Sequence, residues 1–183
     1  MDFNADHYSL FELPRIFRLD ASELDKRYRE IQALIHPDKF AHTSDLERRL
    51  SLQWSTRVNE AYLTLKKPLL RGQYLLALFG HAVDEDSNVA MPPEFLMEQM
   101  EWREAVVEGR QAHDLEGLEQ LRRRVKERIR ERYEQLADGL DDQRNYEFAA
   151  DRLRRLMFLE KLQSEIDDAI ADQIGRASCR ERV

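Results

Sequence analysis

The chain lacks most of the residues from which disulfide frameworks and metal sites are built. It has one cysteine among 183 residues, so no disulfide can form within it. Its five histidines are scattered without the close pairing that a zinc site requires, and we expect no metal and no cofactor. The longest apolar run, residues 74–79, is far too short to cross a bilayer, and we therefore expect no membrane partner.

An excess of positive charge is also lacking. The formal net charge is −7 at pH 7, which makes the whole chain a poor candidate for sequence-independent binding to the phosphates of nucleic acid. Residues 1–6 are acidic and lack the basic stretch with which a signal peptide begins. These two features predict a cytoplasmic protein that does not bind nucleic acid.

The composition of the chain favours helices. Charged residues make up 36% and hydrophobic residues 42%, with only six glycines and five prolines. Apolar residues recur at helical spacing through most of the sequence. This pattern predicts an all-α fold.

The N-terminal half is predicted to contain a helical hairpin. Its first helix begins after a cap at Asp20 or Ser22 and ends near His36, because Pro37 disfavours helical geometry in the residue before it. Its second helix covers approximately residues 45–67. Two antiparallel helices joined by a short loop form such a hairpin. The side chains predicted for its core are Leu24, Tyr28, Ile31, Leu34, Trp54, Val58, Tyr62 and Leu65.

The C-terminal half is predicted to be a second domain. Residues 80–93 combine acidic side chains with a Pro-Pro pair, which indicates a linker over residues 81–92. Helical periodicity then resumes in three segments separated by short turns, and we predict an antiparallel three-helix bundle over residues 93–173. Residues 174–183 break this pattern and resemble translated sequencing-adapter sequence, so we interpret them as a non-native tail.

A His36-Pro37-Asp38 tripeptide lies in the predicted hairpin loop. Alone, such a triplet is compatible with an ordinary helix stop followed by an Asx turn. Its setting is more specific, because a helix with a basic face precedes it, and Lys39, a polar loop and a second long helix follow. Over approximately residues 6–78 this arrangement resembles a J-domain.

The resemblance implies that residues 1–80 form a J-domain that stimulates the ATPase of a DnaK-type chaperone. Its chaperone-binding residues would be His36, Pro37, Asp38, Lys26, Arg27, Arg29 and Lys39. Their chemistry fits the role, since Pro37 stiffens the loop, Asp38 offers an acceptor to a partner arginine, and basic residues steer association with an acidic surface. An ordinary solvated helix face explains the three basic residues of the first helix equally well. Such a module acts through differential binding and is not itself an enzyme.

Three further blocks narrow the resemblance. Common J-proteins continue into Gly/Phe-rich or cysteine-rich modules, which this sequence lacks. Instead, residues 68–76 (PLLRGQYLL), 95–104 (FLMEQMEWRE) and 155–162 (RLMFLEKL) look like the HscB family of iron–sulfur cluster assembly co-chaperones. This resemblance covers nearly all of residues 6–172. The paired-cysteine module of eukaryotic relatives is missing, which favours a bacterial-type protein.

The family resemblance implies two protein partners. The bundle would bind the iron–sulfur scaffold IscU, and the J-domain would deliver it to the chaperone HscA, aiding cluster maturation and transfer. The scaffold-binding residues that follow from matched positions are Leu96, Met97, Met100, Glu101, Glu104 and Phe158. Helical spacing puts Leu96, Met97 and Met100 on one side of a helix, where spacing alone would favour packing inside the bundle.

Other interpretations of the function stay open. A generic J-domain co-chaperone with a different client, or one whose bundle only dimerises, fits the tripeptide equally well. A metal-binding helical bundle is a third alternative, because glutamates recur at 94, 98, 101, 104 and 108, but no Glu-x-x-His motif accompanies them. Basic residues alternate with glutamates between residues 119 and 132, which predicts an ion-paired helix face.

Overall fold

The computed structural model describes residues 5–40, 44–83 and 92–180, except the side chains of Pro37, Asp38 and residues 176–180. Every regular element within these ranges is helical, which confirms the predicted all-α fold. The chain divides into two compact units. The first unit consists of Met1–Ala82 and Ala137–Ala149, and the second of Val83–Leu136 and Ala150–Val183.

Among the described residues, four α-helices build the N-terminal part of the first unit. They are α1 (His7–Leu10), α2 (Ala21–Ile35), α3 (Asp45–Lys66) and α4 (Pro68–Leu78). A 3-10 helix, Pro37–Phe40, follows α2, and a π-helical turn, Asp138–Asp142, belongs to the same unit. Helices α2 and α3 pack along each other and form the predicted hairpin.

Local capping sets where the two hairpin helices begin. The Asp20 carboxylate accepts hydrogen bonds from the backbone amides of Ser22 at 2.8 Å and Glu23 at 3.4 Å, and so starts α2. Ser44 and Glu47 form a capping box that starts α3. Both helices therefore begin where the sequence predicts.

Most of the residues predicted for the core of the hairpin are buried or half-buried in the first unit. Leu24, Val58 and Leu65 are fully buried. Tyr28 and Tyr62 are half-buried, and their rings stack with centroids 4.1 Å apart. The faces of α2 and α3 that the apolar pattern marks are therefore the faces that meet.

The prediction that Leu34 lies in the core is wrong. Its side chain is 65% exposed, whereas the neighbouring Ile35 is buried. At 100° per residue, Leu34 points about 80° away from the stripe that begins at Leu24, so the helix turns it out of the interface. Leu46 and Leu50, which contribute to the apolar pattern of α3, are exposed as well. The apolar surface at this end of the hairpin is therefore larger than the sequence pattern predicts.

Residues 137–149 lie outside the range predicted for the J-domain but belong to the first unit. The Asp141 carboxylate accepts hydrogen bonds from the amides of Phe17 at 2.7 Å and Arg18 at 2.8 Å. The Arg18 guanidinium also pairs with Asp142 at 2.8 Å. These long-range bonds explain why a segment predicted for the bundle packs with the N-terminal helices instead.

The described part of the second unit consists of three long helices. They are α5 (Pro93–Ala112), most of α6 (Leu115–Ala137) and most of α7 (Tyr146–Arg180). Between α5 and α6, His113 takes a left-handed conformation with φ 53°, so a short turn joins the two helices. Their buried side chains include Phe95, Trp102, Val106, Leu118, Val125, Ile129, Leu153, Leu156 and Leu159. All three helices therefore contribute to the core of this unit.

Helices α5 and α6 run antiparallel, as the sequence predicts. Close to the turn, Gly109 lies against Leu118, where an added Cβ would come within 2.8 Å of a leucine methyl carbon. At the far end, the Glu98 carboxylate pairs with the Arg128 guanidinium at 3.1 Å. The sequence distance between partners grows away from the turn, which is the mark of two helices that run in opposite directions.

Residues 84–91, most of the predicted linker, lie outside the described residues. Helix α7 continues to Arg180, so the backbone of residues 174–180 is helical. That residues 174–183 are non-native stays a prediction. Within the described part of the chain, no helix combines the length and the apolar character that a membrane span requires.

Candidate functional site

The predicted tripeptide lies in a tight turn at the end of α2. His36 ends the helix with φ −57° and ψ 128°, because Pro37 excludes a helical ψ in the residue before it. The amide of Lys39 donates to the carbonyl oxygen of His36 at 3.0 Å, and His36 is exposed. The side chains of Pro37 and Asp38, both predicted chaperone contacts, lie outside the described residues. The turn therefore presents His36 at the surface between the two hairpin helices.

A hydrogen bond not foreseen from the sequence holds this turn against α3. The Ser51 hydroxyl donates to the carbonyl oxygen of Ile35 at 2.7 Å, and Ser51 is buried. Carbonyl groups in the last turn of a helix have no partner within the helix, so this bond satisfies one that would otherwise be unpaired. A signal was present, since Ser51, Val58 and Leu65 recur every seven residues on the buried face of α3.

Three of the four predicted basic residues are exposed near the tripeptide. Lys26, Arg29 and Lys39 all have exposed side chains. Arg29 lies two turns before His36 on the same face of α2, and Lys26 lies one turn before Arg29. Positive charge therefore leads along the exposed face of α2 to the tripeptide.

Arg27 has a different environment. Its Nε donates to the Glu23 carboxylate at 2.9 Å, and its guanidinium lies 3.4 Å from Glu12 and 3.9 Å from Glu30. These three carboxylates compensate its charge within the protein. Arg27 is therefore the weakest of the predicted basic residues for steering a partner.

Helix α5 has an exposed apolar surface, which we call the outer face. Leu96, Met97 and Met100 are 45%, 62% and 71% exposed, whereas Phe95 and Trp102 on the opposite side are buried. Packing of these three residues inside the bundle, which spacing alone favoured, is therefore excluded. The outer face comprises Leu96, Met97, Met100, Glu101, Glu104 and Val107. Val107, 51% exposed, was not foreseen from the sequence.

The outer face also has negative charge. Glu101 and Glu104 are exposed, and within the described residues no basic side chain lies within 4.0 Å of either carboxylate. Glu98 differs, because it pairs with Arg128 of α6. Carboxylates without an internal partner, set beside apolar side chains, suit a partner surface with apolar and basic groups. The described residues contain no group of three or more side chains that could hold a metal ion.

Phe158, the predicted site residue on α7, reaches this region through two contacts. Its half-buried ring meets Phe95 edge to face, with centroids 5.9 Å apart. The Arg103 guanidinium of α5 lies 5.3 Å from the centroid of the Phe158 ring. Arg103 was not among the predicted site residues, but it is exposed and lies one turn beyond Met100. It therefore extends the outer face toward Phe158.

Comparisons with known proteins decide the family. A co-chaperone protein HscB homolog from Azoarcus sp. is 54% identical over 170 residues, which cover 93% of this chain and 96% of that protein. The chain belongs to the HscB co-chaperone family. A family model described as the HscB C-terminal oligomerisation domain matches residues 91–167.

Solved HscB structures share the fold. Chaperone HscB from Vibrio cholerae is 36% identical with a TM-score of 0.79, and the match covers 92% of this chain and 99% of that chain. The human co-chaperone HscB is 33% identical with a TM-score of 0.85, over 91% of this chain and 83% of that chain. These findings confirm the HscB resemblance drawn from the sequence and its combination of a J-domain with a helical C-terminal domain. The chain is thus a co-chaperone of iron–sulfur cluster assembly and not itself a catalyst.

Proposed function

We propose that this chain carries an iron–sulfur scaffold of the IscU type on the outer face of α5 and delivers it to an HscA-type chaperone. The tripeptide would stimulate the ATPase of that chaperone, aiding cluster maturation and transfer. The observation that carries the proposal is the exposure of Leu96, Met97 and Met100, in a chain 54% identical to an HscB homolog. The cytoplasmic location stays a prediction from the sequence.

The outer face has the properties of a surface for a transient protein contact. Helix α5 buries one apolar face against its neighbours and exposes a second one, and contiguous exposed apolar surface is typical of interaction sites. Methionine is unbranched and adaptable, so Met97 and Met100 can fit a partner that binds and leaves. Glu101 and Glu104 add charge that would select a basic rim on the scaffold.

The turn at His36 supports the chaperone step. His36 is exposed at the end of a helix whose surface bears Lys26 and Arg29, and this charge would steer association with an acidic partner surface. The chain supplies no chemistry in this step. It shifts the chaperone toward a state competent for hydrolysis if the tripeptide binds that state more tightly than the resting one.

Calorimetric titration of an IscU-type scaffold against the full chain tests whether this scaffold is the client. Replacing both methionines, Met97→Ser with Met100→Ser, should weaken binding by tenfold or more, on the order of 1.4 kcal/mol or above. The thermal unfolding midpoint should stay unchanged, because both side chains are exposed. Leu115→Ser changes another exposed apolar residue, on α6, and should bind like the unaltered protein. No measurable binding by the unaltered chain would refute the client assignment.

Chaperone turnover tests the second half of the proposal. His36→Gln should abolish stimulation of ATP hydrolysis by an HscA-type chaperone while leaving scaffold binding intact. His113→Asn is the control, since His113 is also exposed and asparagine tolerates its left-handed backbone. Full stimulation by His36→Gln would contradict the role of the tripeptide.

The alternative to scaffold binding is that the bundle serves for self-association. The matching family model is described as an oligomerisation domain, which supports this alternative. Light scattering measures the mass of the protein in solution. A dimer that dissociates on the double methionine substitution, together with no scaffold binding, would favour this alternative. A monomer that binds the scaffold would support the proposal.

A further inference from the structure

Four arginines gather at the end of the second unit where α5 begins. Arg128 and Arg132 lie on α6, and Arg152 and Arg155 lie on α7. The side chains of Arg152 and Arg155 are only 20% and 16% exposed. Burial, and then the charges of Arg152, Arg155 and Arg128, lower the pKa of the Arg132 guanidinium. Like charges are therefore close enough to disfavour one another in the folded protein.

The carboxylates around this cluster compensate three of the four charges. Glu98 and Glu131 lie 3.1 Å and 3.4 Å from the Arg128 guanidinium. The remaining carboxylate is shared by two arginines of α7. Asp151 lies 3.0 Å from Arg155 and 3.4 Å from Arg152.

Arg132 makes no ion pair with a described carboxylate, and the charge of Glu98, which pairs with Arg128, acts on it only over a longer distance. Within the described residues, no carboxylate lies within 4.0 Å of its guanidinium. One of its terminal nitrogens donates to the Gln135 side chain at 2.7 Å, and its Nε has no hydrogen-bond partner among the described residues. Part of Arg132 stays accessible to solvent. A guanidinium presents a planar fork of donors that matches one carboxylate, so this surplus of one positive charge fits one incoming carboxylate.

The arginine cluster adjoins the outer face of α5 through a series of ring contacts. The Arg155 guanidinium lies 4.9 Å from the centroid of the Phe95 ring. Phe95 meets Phe158 edge to face, and Phe158 in turn is covered by Arg103 of the outer-face side. A protein that covers the outer face and Phe158 therefore comes next to the cluster.

We propose that Arg132, supported by Arg152 and Arg155, binds one carboxylate of the client protein that docks on the outer face of α5. This inference rests on the proposed function, because it concerns the same client. The fold itself gains little from the cluster, since buried charges of one sign destabilise a protein unless they are paired. The positive charge of the cluster suits a binding site that is compensated only when the carboxylate of the client is bound.

The test separates binding from stability. Arg132→Met keeps most of the side-chain volume and removes the charge, so the client should bind about tenfold more weakly, as expected for one lost charge-assisted hydrogen-bonded pair. The unfolding midpoint should rise or stay the same, because the repulsion is relieved. Arg130→Met is the matched control on the same helix, as Arg130 is 75% exposed and pairs with Glu127 at 2.6 Å. It should bind the client within about twofold of the unaltered chain.

The outcomes distinguish this inference from the proposed function. If the unaltered chain binds an IscU-type scaffold and Arg132→Met binds it equally well, the carboxylate site is wrong and the client assignment stands. A marked fall in the unfolding midpoint of Arg132→Met would also overturn it, because Arg132 would then be a structural residue. Arg132→Lys, which keeps the charge and loses the fork, should bind with intermediate affinity.

Variants of the client locate the carboxylate. Neutralising each acidic side chain of the scaffold in turn, Asp→Asn or Glu→Gln, should identify one variant that no longer distinguishes Arg132→Met from the unaltered chain. If none does so, a scaffold with an amidated C-terminus tests the terminal carboxylate as the source. A full difference between the two chains with every one of these scaffolds would overturn the proposal.

Discussion

The Ser51 hydroxyl donates a hydrogen bond of 2.7 Å to the carbonyl oxygen of Ile35, the residue that directly precedes His36. The bond is buried and ties the last turn of α2 to α3. It therefore fixes the helix end from which the tripeptide starts. The position of the turn proposed to bind the chaperone thus depends on a small polar side chain in an otherwise apolar face.

Ser51→Ala should destabilise the protein and weaken chaperone stimulation together. The buried Ile35 carbonyl would lose its partner, at a cost of about 1–3 kcal/mol, which urea unfolding would measure. Thr56→Ala is the control, because its exposed hydroxyl also bonds a helix carbonyl, that of Leu52 at 3.0 Å. This control should change stability by no more than about 0.5 kcal/mol. Equal effects of the two substitutions would contradict a special role for the Ser51 bond.

Removing the charge of Arg29 should change the rate of association with the chaperone more than removing the charge of Arg27. Arg29→Gln should slow association with the chaperone and reduce its dependence on salt, because the exposed Arg29 charge lies on the side of α2 proposed to bind the chaperone. Arg27→Gln should alter the association rate much less, since three glutamates already compensate the Arg27 charge. Stopped-flow kinetics at two ionic strengths would measure both rates. A larger kinetic effect of Arg27→Gln would reverse this assignment.

The apolar pattern of α5 explains why the sequence alone could not settle which face of this helix is exposed as the proposed client surface. Phe95 and Trp102 mark one face at helical spacing, while Leu96 and Met100 mark another. Periodicity alone favours burial of both apolar faces, whereas a helix of a three-helix bundle buries only one of them. Only the packing of α6 and α7 against Phe95 and Trp102 decides which face is exposed, and that is a property of the folded unit.

Helix limits could be predicted much better than long-range contacts. Asp20 and Pro37 act on their immediate neighbours, so the bounds of α2 follow from local chemistry. The bonds from Phe17 and Arg18 to Asp141 join residues more than 120 positions apart. No periodicity or spacing in the sequence signals them.

Asp141→Asn should destabilise the first unit. An amide has only one oxygen to accept bonds from the Phe17 and Arg18 amides, so we expect a loss of about 1–3 kcal/mol in the free energy of unfolding. Asp142→Asn is the matched control, because the Asp142 side chain is 65% exposed and pairs with Arg18 at the surface. A surface pair contributes about 1 kcal/mol or less. Chemical denaturation of both variants would measure the two losses in the free energy of unfolding. Equal losses would contradict the anchoring role of Asp141.

The cap of α1 should produce an acid dependence of stability. Burial opposes ionisation of Asp6, but hydrogen bonds from Ser9 and Arg15 outweigh it and hold the pKa of Asp6 at about 2. A lowered carboxyl pKa stabilises the fold at neutral pH, and this contribution disappears as the pH falls from about 4 through 2. Asp6→Asn should therefore cost roughly 1–2 kcal/mol at pH 7 and almost nothing at pH 2.

Unfolding midpoints of the two proteins across this pH range would check the prediction. The control is Asp20→Asn, which changes the exposed cap of α2, where hydrogen bonds from Ser22 lower the pKa of Asp20. Its pH dependence should be the smaller of the two. A constant stability difference between Asp6→Asn and the unaltered chain from pH 7 to pH 2 would contradict the assignment.

The bonds at Asp141 have a consequence for how this protein can be cut and recombined. A gene fragment that stops at residue 80 encodes every helix of the J-domain hairpin but leaves the amides of Phe17 and Arg18 without their carboxylate. A chimera that transplants only this fragment onto another bundle would inherit the same loss. The interchangeable module is discontinuous in sequence, and a graft that retains its stability has to bring residues 137–149 with it.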